Sequence, residues 1–176
     1  MLKLFLLICL SITVSACGDN TQSQQPELTV EPVQVTLLEQ YRNQAANVLT
    51  IIYANEGAEK LEQESAKLVE LSQLLLNELA AEVPQCKRYL TSLNAAASEM
   101  VNLSVEKIAS DYLNGHKLPN FNKPICYHIK EVLVHGATVQ AIARQGLNNK
   151  LEYKTAELDI IEAIAHFDQV EAELTD

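Results

Sequence analysis

The chain has 176 residues, 48% of them hydrophobic and 5% aromatic, with no Trp, five Gly and five Pro. That profile suits a helical globular domain and argues against a β-sandwich, a collagen-like chain or a disordered tail. The formal net charge of −10 offers no basic footprint to a polyphosphate, which excludes nucleic acid as the expected partner.

The N-terminus reads as a targeting peptide. Lys3 supplies a positive start, residues 4–14 form a nearly unbroken apolar run, and Val14-Ser15-Ala16 closes it with small residues before Cys17. The run falls short of the roughly 20 residues a membrane-spanning helix needs. The tetrapeptide Val14-Ser15-Ala16-Cys17 resembles the lipobox of bacterial lipoproteins, a likeness that covers residues 1–17 only. The resemblance implies cleavage before Cys17, acylation of its thiol and of its new amine, and lasting attachment to the membrane through several acyl chains. Gly18 rather than an aspartate follows the cysteine, which by the same resemblance favours the outer membrane over the inner. The mature part then carries 12 basic and 23 acidic side chains, a net charge of −11.

Residues 17–34 hold the acylated cysteine and a polar stretch without periodicity, expected to be a flexible leash. Residues 35–176 are expected to form one all-α domain, an up-and-down bundle of four to five helices with a core large enough to stand alone. Leu38, Tyr41, Ala45, Val48 and Ile52 step by three and four along a first helix, stopped at Asn55-Glu56-Gly57 with Gly57 as the left-handed residue. Leu61, Leu68, Leu71, Leu75 and Leu79 mark a second helix that Pro84 ends, and Pro84 is expected to open the third. The third stripe runs through Leu90, Leu93, Ala97, Met100, Ile108 and Tyr112 towards Gly115. Residues 116–123 form the one long loop expected in the body. Pro124 opens a fourth helix, with Ile125, Ile129, Val132, Leu133, Gly136 and Ala143 inward; Gly146-Leu147-Asn148-Asn149 turns into a fifth through Ala156, Ile160, Ile164, Phe167 and Leu174.

Two cysteines remain in the body, and in an oxidising compartment Cys86 and Cys126 are expected to pair. Each sits two residues after a proline at a helix start, so a bridge requires the third helix to end early, near Ser110, and the chain to run back along the bundle. Two buried thiols, or one reactive pair, are the alternatives.

Four side chains carry the best case for chemistry. Glu131 and His135 lie four apart on the fourth helix, and Glu162 and His166 repeat the spacing on the fifth. Facing helices hold metals with such ligands, but the helical wheel turns Glu162 and His166 away from the Ile160 and Phe167 face. A solvated stripe is the preferred reading, with no metal and no cofactor expected. His128 shares the Glu131 and His135 flank and reads as a core-edge histidine. Haem between Met100 and a histidine is weighed against core packing for Met100, which is preferred. His116 and Phe121 lie in the long loop, with Phe121 expected as a plug on the bundle end.

No phosphate loop, His-Glu-x-x-His, Gly-x-Ser-x-Gly or redox Cys-x-x-Cys is present. The leading expectation is therefore a non-catalytic, membrane-anchored periplasmic lipoprotein whose bundle binds another envelope protein. A bundle that binds a metal, haem or small apolar ligand is the alternative, and an enzyme built from distant residues comes third.

Overall fold

A computed structural model describes residues 35–114, 117–121 and 123–175, which together form one unit. The targeting segment 1–16, Cys17, the leash, Gly115 and His116 lie outside the described residues.

The fold is an all-α helical bundle with six α-helices and no strand among the described residues. They are α1 (Leu37–Ala54), α2 (Ala58–Glu82), α3 (Lys87–Met100), the single turn α4 (Val105–Ile108), α5 (Pro124–Gln145) and α6 (Lys150–Thr175). Helices α1, α2, α5 and α6 close a ring in which each packs on the next. Neighbours in the ring run antiparallel: Arg42 near the start of α1 meets Asp168 near the end of α6, and along α5 Ile129 lies by Leu79 of α2 while Gly136, further on, lies against Leu68, further back. Helices α3 and α4 pack on this ring from outside, both against α5 and α3 also against α2.

Local chemistry sets the boundaries. Thr36 and Glu39 form a reciprocal cap at the start of α1, the Glu39 amide donating to Thr36 Oγ1 at 3.2 Å and the Thr36 amide to Glu39 Oε2 at 2.9 Å. The left-handed residue ending α1 is Asn55 (φ 53°), not Gly57. Asparagine tolerates that conformation, and Gly57, also at positive φ (95°), instead turns the chain into α2. Pro84 ends α2 but does not open α3, which starts three residues later at Lys87 after a turn. Asn149 caps α6 by accepting from the Leu151 and Glu152 amides at 2.9 and 3.2 Å, while Glu152 accepts from the Asn149 amide.

The third helix departs from its sequence reading. It ends at Met100, short of both Gly115 and Ser110, because Asn102 folds back on the Ser98 carbonyl and Ser104 caps a new helix by accepting from the Lys107 amide. Ile108 and Tyr112 are buried as expected, but on a separate returning segment. That segment continues past α4 as a wider turn, Ala109–Leu113, whose last bond runs from the Asn114 amide to the Ala109 carbonyl, five residues back. Arg144 at the end of α5 donates to the Val101 and Leu103 carbonyls, fastening the reversal. The return brings Cys86 and Cys126 to disulfide-bonding distance, with Cα atoms 5.5 Å apart and both residues fully buried.

Candidate functional site

The polar side chains of the bundle converge along one seam, where α5 and α6 meet beside the returning segment. On α6 the side next to His166 is small: Ala156 and Ala163, both fully buried, lie within a quarter turn of it. Small residues let polar side chains at the flanks, one turn away, reach across.

At its centre is Glu131, 3% exposed, next to Lys130 at 5%. Burying either charge alone would be costly, and each is held by the other at 2.6 Å between Lys130 Nζ and Glu131 Oε1. Lys130 also donates to the Tyr112 carbonyl at 3.3 Å and lies 5.0 Å over the Tyr127 ring. Burial first, and then the Glu131 charge, push the Tyr127 phenol above its ordinary range.

The other carboxylate oxygen is differently placed. Glu131 Oε2 is buried and has no hydrogen-bond partner among the described residues. His135 Nε2 faces it at 3.6 Å, beyond hydrogen-bond length. The second nitrogen of that ring, His135 Nδ1, is 2.8 Å from Asp159 Oδ1 of α6. The His166 ring stacks nearly parallel on His135, with centroids 5.8 Å apart and planes at 11°. His166 Nδ1 then meets His128 Nδ1 at 2.9 Å, and His128 Nε2 lies 3.9 Å from Glu173 Oε1. Tyr127 packs edge-on against both His128 and His166. Burial lowers the His166 pKa, helped by the His135 and His128 charges and opposed by those of Glu131 and Glu162.

No family model, curated protein or solved structure matches this chain.

Of the set singled out in the sequence, the structure gathers Glu131, His135 and His166, and leaves Glu162 exposed at the margin. The expectation that His166 faces solvent is corrected: it is half-buried against α5. The wheel was centred on Ile160 and Phe167, whereas the buried face of α6 also includes Ala156, Ala163 and Val170, which shifts its centre by about 30° towards His166. His128 is a half-buried seam residue that pairs with His166. Asp159, Lys130, Tyr127 and Glu173 were missed. The signal for Asp159 was available, since it sits seven residues before His166 and so on the same side of α6. Met100 is fully buried in the core of α3. Phe121 covers the starts of α3 and α5, 4.7 Å from the Tyr89 ring and 6.3 Å from Tyr127. With Tyr89, Tyr112, Tyr127 and Lys130 it lines an open cleft of about 320 Å³. Among the described residues, no three His, Cys, Asp or Glu side chains already stand in place to hold a metal ion.

Proposed function

We propose that this chain is a lipid-anchored protein of the bacterial cell envelope, held through acyl chains on Cys17 and facing the periplasm, on the outer membrane rather than the inner. Its bundle acts there as a non-catalytic module that binds another envelope protein. The observation that carries the compartment is the Cys86 and Cys126 pair at disulfide-bonding distance. Such a pair persists in an oxidising compartment and is rare where thiols are kept reduced, in accord with the lipobox-like end at Cys17.

The interaction role is supported by the outer face of α6, where Leu151, Leu158 and Ile161 are 74%, 51% and 39% exposed. They recur at intervals of seven and three, on one side of the helix, and leave apolar surface to water that a partner would cover.

Two measurements test the proposal. A clickable palmitate analogue fed to the host should label the protein, and Cys17→Ser should abolish both the label and membrane retention; retention without label refutes the anchor. Crosslinking in native membranes should trap one partner, and Leu158→Glu should lose it. Recovery of uncrosslinked monomer throughout refutes the module reading.

A further inference from the structure

The unexplained atom of the seam is Glu131 Oε2, a carboxylate oxygen buried with no donor to satisfy it. Native structures rarely leave such an oxygen without a proton, a water or an ion. Its distance to His135 Nε2, 3.6 Å, is too long for a hydrogen bond. It is near the separation of about 3.4 Å that two ligands keep when each lies about 2.0–2.1 Å from a tetrahedral zinc ion. The pair is spaced i, i+4 on one helix face, so a single ion can bridge both without moving the backbone.

The surrounding groups leave the ligating nitrogens free. Asp159 accepts the Nδ1 proton of His135, which puts the lone pair on Nε2, towards Glu131. Carboxylates hold metal-ligating histidines in the correct tautomer in this way. His166 Nδ1 is taken up by His128 Nδ1 at 2.9 Å, which leaves Nε2 as the other nitrogen of the ring stacked against His135.

The geometry points to a divalent transition-metal site in which Glu131 Oε2, His135 Nε2 and His166 Nε2 bind an ion such as Zn²⁺, with Asp159 orienting the His135 ring and His128 holding the other nitrogen of His166. Two histidines and one carboxylate are a donor set for borderline first-row ions, with the remaining positions left to water. The three donors are not yet gathered around one point, so the ion draws His166 in as it binds. Lys130 on the other oxygen of Glu131 opposes the incoming charge. The site is therefore an exchangeable one rather than a structural zinc on which folding depends. This inference stands apart from the envelope reading, and each can fail without the other.

The test uses full-length protein in detergent, stripped with a chelator that is then removed, and titrated with CoCl₂ followed by ZnCl₂. The expected result is one equivalent of Co²⁺ with visible d–d bands, displaced by one equivalent of Zn²⁺. His166→Gln and His135→Gln should weaken binding by more than about 100-fold, and Asp159→Asn, which removes no ligand, by about 10–100-fold. The same spectrum on folded Asp159→Asn keeps the test decisive if a ligand variant fails to fold. Absence of Co²⁺ bands, or bands unchanged in His135→Gln and His166→Gln, overturns the site.

Discussion

Replacing Cys86 and Cys126 together by alanine removes the clamp that joins the start of α3 to the start of α5, 40 residues apart. In the chain-entropy treatment a crosslink over that separation stabilises the native state by about 4 kcal/mol at 25 °C. The two alanines also lose buried sulfur contacts, since both positions are fully buried. With a urea m-value of about 2 kcal/mol/M for a body of this size, the midpoint should fall by about 2 M. The segment released, α3, α4 and the return, lies outside the four-helix ring, so it should loosen first. Amide exchange should then rise most in residues 87–113 and least in α2 and α5. The assay is urea unfolding followed by far-ultraviolet circular dichroism, for the native protein and the double variant, each with and without a phosphine reductant present throughout. If the cysteines are bridged, reductant lowers the native midpoint close to that of the variant and leaves the variant unchanged. A native midpoint indifferent to reductant, with both thiols titrating after unfolding, would refute the reasoning.

Four further outcomes follow from the packing. Glu64, 5% exposed, is held by Lys67, Gln44 and Lys60, which bring its pKa from 4.5 to about 2. The stability it contributes is thus present above about pH 4.5 and is lost as pH falls towards 2. The shift caps the effect at about 3 kcal/mol, and screening of the exposed lysines reduces it to about 1, so Glu64→Gln should cost about 1 kcal/mol at pH 7 and flatten acid unfolding between pH 4.5 and 2. At Gly136 an added Cβ would stand 3.7 Å from Leu68 Cδ2, so Gly136→Ala should be neutral or stabilising by up to about 1 kcal/mol, whereas Gly136→Leu should cost about 1–3 kcal/mol by overpacking; thermal unfolding ranks the two. Arg144→Ala should cost about 1.5–3 kcal/mol, since it strips charged donors from the Val101 and Leu103 carbonyls, and should speed amide exchange in residues 101–108. Phe167→Ala should cost about 3–5 kcal/mol in urea unfolding, because its ring is 2% exposed and lies 4.6 Å from Tyr41.

How much of the fold could be read in advance depended on how local its causes are. The starts and stops of α1, α2, α5 and α6 follow from residues within a turn of each boundary: Thr36 with Glu39, Asn55, Pro84, Pro124 and Gly146. The third helix failed for a reason of the same kind but weaker signal. Leu90 to Tyr112 keeps helical spacing across the break, because the returning segment also buries Ile108 and Tyr112 on the same core. Periodicity reports which residues are buried, and it cannot report that the chain has reversed between them. Only Asn102 and Ser104 marked the reversal, and both also occur within helices. The cysteine pair held the missing information: two helix starts can be joined only if the chain comes back, so the covalent constraint demanded a return that hydrophobic spacing could not show.

The histidine seam was half legible, and the missing half was a matter of angle. Glu131, His135 and His166 could be named from i, i+4 spacing and from a hairpin centred near Asn148, because an antiparallel pair joined by a short turn fixes which residues lie level. Whether they meet depends on the rotation of α6 about its own axis, and that was inferred from its largest apolar residues. Ile160 and Phe167 weigh most on a hydrophobicity scale, yet they face α1 and the core, where Phe167 packs on Tyr41. From there towards His166 the buried face continues through Ala156 and Ala163, which contribute little hydrophobicity and therefore little to the inferred direction. Where two helices approach closely, the interface is marked by small side chains, and the polar groups beside them are brought nearest. An apolar stripe weighted by side-chain size therefore points away from the closest helix pair. In this bundle that bias moved His166 out to solvent, whereas its ring stacks on His135, the histidine 3.6 Å from the buried carboxylate.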